Sequence, residues 1–120
     1  MIAHIVLFRP KDRLKTADLR SFAQSFQAAC RNIESVRRAR IGRILEATAA
    51  PDLKLGDKTY SVAAVLEFDD PAGLEAYLKH PVHEELGALF WRYCGSTMVV
   101  DAEMGDPVKD QVDQLFGLEP

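Results

Sequence analysis

The first strand sets the terms for the rest of the chain. Ile2, His4, Val6 and Phe8 alternate with Ala3, Ile5 and Leu7, so the segment is apolar on both sides except at His4. A strand of that kind must be covered on both faces. Arg9-Pro10-Lys11-Asp12 ends it, because proline cannot donate to a central ladder. At 120 residues the chain is most economically one domain with one core. It must still find two covers for this strand.

The remaining segments supply one of them. Thr16 is the expected N-cap of a helix with Asp18 in its first turn. Leu19, Phe22, Ala23, Phe26, Ala29, Cys30 and Ile33 then recur at three- and four-residue spacing, an amphipathic helix. Residues 35–47 read as a strand bent or bulged at Gly42, its alternation blurred by Arg37, Arg38, Arg40 and Arg43. The Pro, Gly and Asp content of 49–58 marks a loop. In 59–69 the alternation is plain: Tyr60, Val62, Ala64, Leu66 and Phe68 make a large apolar face that should meet the helices.

Asp70-Pro71 is a helix start, and Pro81 interrupts the helix it opens. A further helix begins at Pro81, with Val82, Leu86, Leu89, Phe90 and Tyr93 as its stripe and Gly95 as its stop. Thr97–Glu103 is the last strand. The tail carries Val108, Val112, Leu115 and Phe116 on one side of a short helix, a stripe its own segment cannot bury.

The order β-α-β-β-α(-α)-β over residues 1–103, followed by a tail at 104–120, predicts an α+β, ferredoxin-like fold. Its helices cover one face of a four-stranded antiparallel sheet. The other face would then present Ala3, Ile5, Leu7, Ala63, Val65, Met98 and Val100. Monomers rarely leave such a patch bare. A two-fold homodimer through Ile5, Leu7, Val65 and Val100 is the commonest way to close it. The tail stripe is expected to dock on the partner subunit.

Composition narrows the function classes. A formal charge of −3 gives no reason to expect nucleic acid or a membrane surface as partner. The apolar runs are too short to span a bilayer, and no basic leader precedes the first strand. Two distant cysteines, Cys30 and Cys94, make no disulfide framework, so buried, inert thiols in the cytoplasm are expected. No phosphate-binding glycine loop, nucleophile elbow or dinucleotide fingerprint occurs, and no cofactor is expected.

The chemistry gathers at Tyr77-Leu78-Lys79-His80-Pro81-Val82-His83, which holds two of the three histidines. His83 falls in the first turn of the helix that Pro81 opens. The positive dipole end there disfavours imidazolium and keeps the ring a neutral base. A neutral imidazole beside a phenol can take a proton from a carbon acid while the phenol steadies the oxyanion. If the His4 set faces the helices, then His4, Val6 and Phe8 floor a space walled by Phe22, Phe26, Leu66 and Phe68. Such an apolar pocket with a few convergent polar groups is the usual form of a small-molecule site. The plain alternative is structural: His80-Pro81 as cap and turn, Tyr77 as a core aromatic with its hydroxyl at the edge, His4 as a core histidine bonded to backbone. A metal held by His80, His83 and Glu84 or Glu85 is the weaker reading, because that spacing is common by chance. The arginines of the second strand fit a solvated face better than an anion site.

Three motifs in order, Met1–Phe8, Glu67-Phe68-Asp69-Asp70 and Tyr77-x-x-His80-Pro81-x-His83, resemble the stress-responsive dimeric α/β-barrel (Dabb) domain over residues 1 to about 102. The resemblance implies ferredoxin-like subunits whose sheets pair into a dimeric α/β barrel. Within the family it extends to the plant olivetolic acid cyclases, which close a linear polyketide by aldol condensation without metal or cofactor. It implies Tyr77 and His83 as catalytic residues. It also implies His4 and His80 as substrate-orienting residues and a helix-facing His4 set; Leu86, on the stripe of the helix that carries His83, is expected beside the same space. The chain departs from the family pattern at Ile33-Glu34-Ser35-Val36, at Phe26 where a tyrosine would stand, in a longer 48–58 loop and in the tail. The expected function is thus that of a stress-responsive α/β-barrel domain of unassigned reaction, with two readings open: a cofactor-free cyclase or lyase on a small, polyketide-like carbonyl compound, and a non-catalytic ligand-binding or stress-associated homodimer. A haem-degrading or other monooxygenase rests on fold analogy alone.

Overall fold

A computed structural model describes residues 1–45, 60–110 and 112–118; the expected loop at 49–58 lies outside them. The described elements are β1 (Ile2–Pro10), α1 (Thr16–Asn32), β2 (Arg38–Arg43), β3 (Val62–Phe68), α2 (Pro71–Lys79), α3 (Pro81–Tyr93), β4 (Cys94–Glu103) and α4 (Val112–Leu115). They form one four-stranded antiparallel sheet in the order β2-β3-β1-β4, open at both edges. This is the ferredoxin-like arrangement expected from the element order. Among the described residues no helix is long and apolar enough to cross a membrane.

Register fixes which side chains share a face. His4 stands opposite Leu66 and Asp101, Val6 opposite Ala64 and Val99, and Phe8 opposite Val62 and Thr97. Ile2, Val6, Phe8, Ala64, Leu66 and Phe68 are buried under the helices with Phe22, Ala29, Ile33 and Leu86. The side facing away carries Ile5, Leu7, Val65, Met98 and Val100, with Arg38 and Arg40 on β2 beside it. Met98 and Val100 are exposed, and Ile5, Leu7 and Val65 are half-buried.

The connection from β3 to α3 behaves as its sequence predicts. Asp70 Oδ1 accepts from the Gly73 N–H at 2.8 Å, and Pro71 occupies the first turn of α2. Pro81 cannot extend that helix, and His80 serves as the C-cap of α2 and the N-cap of α3 at once.

Four expectations are corrected. The N-cap of α1 is Lys15 and makes no side-chain bond, so Thr16 lies inside the helix. Leu19 and Ala23 of the α1 stripe are exposed and line an open groove. β2 runs through Gly42 without a bulge, since Gly42 pairs in register with Ala63. The sheet's irregularity falls instead between Arg9 and Pro10, where proline has no N–H to donate. Gly95 is no helix stop: the chain passes directly from Tyr93 into β4, and the Tyr93 carbonyl accepts from the Lys11 N–H at 2.7 Å.

Past β4 the backbone turns on Asp106, whose Oδ1 accepts from the Val108 N–H at 2.8 Å. A Cβ at Gly105 would push aside the Asp110 carboxylate, which accepts from the Asp106 N–H. α4 follows, with Val108, Leu115 and Phe116 exposed.

Candidate active site

Sheet register and the kink at Pro81 bring four polar side chains to one cavity. His4 and Asp101 rise from adjacent strands, Tyr77 comes from the last turns of α2, and His83 from the first turn of α3. The cavity holds about 390 Å³, within the range of small-molecule sites. Its apolar walls include Val6, Phe26, Leu66, Leu86 and Phe90.

Tyr77 is 3% exposed, and its ring meets those of His83, Phe68 and His4 at centroid distances of 4.6, 5.2 and 5.6 Å. Among the described residues nothing hydrogen-bonds its hydroxyl. Burial raises the phenol's pKa well above its ordinary value, and the nearby Cys30 adds to the shift. Tyr77 is therefore a protonated donor at any pH near neutral.

His83 has a fixed tautomer. Its Nδ1 lies 3.1 Å from the Leu78 carbonyl, which can only accept, so Nδ1 carries the proton and Nε2 the free lone pair. Burial lowers its pKa. The Leu78 carbonyl opposes this, His4 lowers the value further, and Glu84 raises it. The balance favours a neutral imidazole, the state a general base needs.

His4 is buried, and its Nδ1 approaches Asp101 Oδ1 at 2.5 Å across the β1–β4 pair. A carboxylate in that position accepts from a protonated Nδ1 and fixes the orientation of the ring. The partner is thus a side chain of the neighbouring strand, where a backbone partner had been the plain expectation.

The other site expectations divide. His4, Val6, Phe26, Leu66, Tyr77, His83 and Leu86 line the cavity. Phe68 is fully buried behind Tyr77. Phe8 and Phe22 line a second, apolar groove of about 350 Å³ with Leu19, Ile41 and Val62. Among the described residues no histidine or carboxylate lines that groove.

His80 is not brought to the cavity. Its Nδ1 accepts from the Val82 N–H at 3.1 Å, and the residue borders a separate hollow with Asn32, Ser35 and Ala76. The capping alternative describes its position. Among the described residues no three His, Cys, Asp or Glu side chains gather as metal ligands.

Sequence reasoning missed Asp101, Leu78, Gly87, Phe90, Thr97 and Val99 as cavity residues. The pairing of the first and last strands was the available signal, since it sets Asp101 directly beside His4.

The chain resembles known proteins at the level of family and fold. The family model for the stress responsive A/B barrel domain matches residues 2–104. No curated protein matches the sequence. A dabb family protein with a ferredoxin-like fold from Mesorhizobium loti superposes with TM-score 0.68 at 20% identity, over 88% of this chain and 97% of its own. A dimeric ferredoxin-like protein of unknown function from Thermobifida fusca gives 0.66 at 22% identity, over 86% and 90%. A hydroxynitrile lyase from Passiflora edulis gives 0.73 at 17% identity, over 88% and 94%. At these identities the structures share a fold. The family match spans most of the sequence, and the chain belongs to the stress responsive A/B barrel (Dabb) domain family.

Proposed function

We propose that the chain is a homodimeric enzyme of the cofactor-free cyclase or lyase type, acting on a small carbonyl compound. The observation that carries this reading is the pairing of an unbonded Tyr77 hydroxyl with a neutral, tautomer-fixed His83 in one apolar cavity. His83 Nε2 removes a proton from the carbon next to the substrate carbonyl. Tyr77 donates to the oxygen as negative charge gathers there. The enolate carbon then adds to a second carbonyl of the substrate, forming the carbon–carbon bond, and the protonated His83 gives its proton to the resulting alkoxide. Cleavage runs the same steps backwards, from deprotonation of the hydroxyl to protonation of the carbon. His4, held by Asp101, orients the substrate. Relation to the plant olivetolic acid cyclases is part of this proposal, and so is the cytoplasmic setting. The Passiflora edulis protein that shares this fold is described as a hydroxynitrile lyase.

The homodimer closes the apolar sheet face of Ile5, Leu7, Val65 and Val100 against a second copy, giving the dimeric α/β barrel. The Thermobifida fusca relative is described as dimeric, which supports this arrangement. In it the tail stripe of Leu115 and Phe116 docks on the partner subunit.

The pH profile tests the chemistry. The base must be unprotonated, and His83 is shifted below its ordinary 6.5, so kcat/KM falls only as pH drops below that value. The acid must be protonated, and Tyr77 is shifted above its ordinary 10.0, so no alkaline limb from this phenol appears up to that pH. Turnover of β-dicarbonyl substrates across pH 5 to 10 checks both limbs. If ligands raise Tm by mass action and no product forms at any pH, the binding alternative holds instead.

A further inference from the structure

The cavity does not end at His83. Gly87, Phe90 and Thr97 line both the reactive cavity and a neighbouring hollow of about 390 Å³, whose other walls are Trp91, Cys94 and Gly95. His83, Gly87, Phe90, Trp91 and Cys94 follow the four- and three-residue spacing of one helix face, so a single stripe of α3 leads from the base to the second hollow.

Two observations set this stripe apart from ordinary packing. Gly87 sits inside α3, where glycine is the poorest helix former after proline. Its φ is not positive, and a Cβ there would meet nothing within 4 Å. Neither backbone conformation nor close packing therefore requires glycine. Its missing side chain leaves space at a wall that the two hollows share. Beyond it stands Trp91, the chain's one tryptophan, 88% exposed beside a groove that continues the active site.

We propose that the site takes an elongated carbonyl compound whose apolar, aryl-sized end passes over Gly87 and lies against Trp91. This rests on the reading of the cavity as a carbonyl site, and it adds the shape of the substrate. From His83 to Trp91 the helix advances eight residues, about 12 Å, which sets the distance between the reacting carbonyl and the aryl end. Phe90 floors the passage, and its ring is held edge-on by Phe8 and Phe22 at 5.0 and 4.9 Å. That surface suits an apolar chain, and the Trp91 face suits a ring.

The test uses 7-phenylheptan-2-one as probe and Trp91 fluorescence as readout, since no other tryptophan contributes. Titration into the intact protein should change Trp91 emission in a saturable way. Gly87→Leu should weaken probe binding by at least about tenfold, the scale of a blocked apolar contact. Trp91→Ala, which leaves the core untouched, should weaken it similarly when followed by calorimetry. A probe that leaves Trp91 emission unchanged overturns the proposal. So does Gly87→Leu or Trp91→Ala binding the probe as tightly as the unaltered chain. If Gly87 and Trp91 govern binding while no turnover is found, the elongated site stands and the enzymatic reading falls.

Discussion

His83→Ala is expected to lower kcat/KM for a carbonyl substrate by about 10²- to 10⁴-fold, the usual contribution of a general base. The reason is specific to its setting. Leu78 holds Nδ1, and burial keeps the ring neutral, so Nε2 is the basic atom offered to the cavity next to Tyr77. The substitution removes a half-buried side chain at a cavity edge, so the fold should persist. Far-ultraviolet circular dichroism and the Tm check that point, and steady-state kinetics measure the loss. Tyr77→Phe should lower kcat through the lost oxyanion donor and leave the ring packing against Phe68 and His4 intact.

The second large effect concerns assembly. Ile5→Asp is expected to convert the proposed dimer to a monomer in sedimentation analysis. Ile5 lies between Val65 and Val100 on the bare side of the sheet, so the new carboxylate would be buried without a partner on closure. Desolvating an unpaired carboxylate costs several kcal/mol, enough to dissociate an ordinary homodimer. The core under the helices is built from the opposite residues of β1, Ile2, Val6 and Phe8, so the monomer should remain folded. A sedimentation coefficient unchanged by Ile5→Asp would remove this face from the interface.

The sequence made the sheet legible because its strands state their two faces. Alternation in β3 assigns Ala64, Leu66 and Phe68 to the core, and those three are fully buried. The Asp70-Pro71 start and the break at Pro81 were equally plain, since proline chemistry is local. What depended on register was not. Asp101 became a site residue only through its pairing opposite His4, ninety-seven positions away, and a single strand carries no record of its neighbour.

His80 illustrates the opposite error. It shares a motif with His83 but caps α3 through the Val82 N–H, so nearness in sequence did not become nearness in the cavity. Gly95 misled for a related reason. A backbone bond from Lys11 satisfies the Tyr93 carbonyl, and no glycine cap was needed. Gly87 gave no sign at all, because its meaning lies in the two hollows it borders.

Acting as an acid–base pair, Tyr77 and His83 should labilise a proton on carbon next to a carbonyl. Deuterium exchange tests it without knowledge of the natural substrate. A β-dicarbonyl or aryl ketone is incubated with the protein in D₂O near pH 7, and loss of its α-proton signal is followed by proton NMR. The account predicts exchange well above the buffer rate with the unaltered chain, and a return to that rate with His83→Ala. Equal exchange by the two proteins would contradict it.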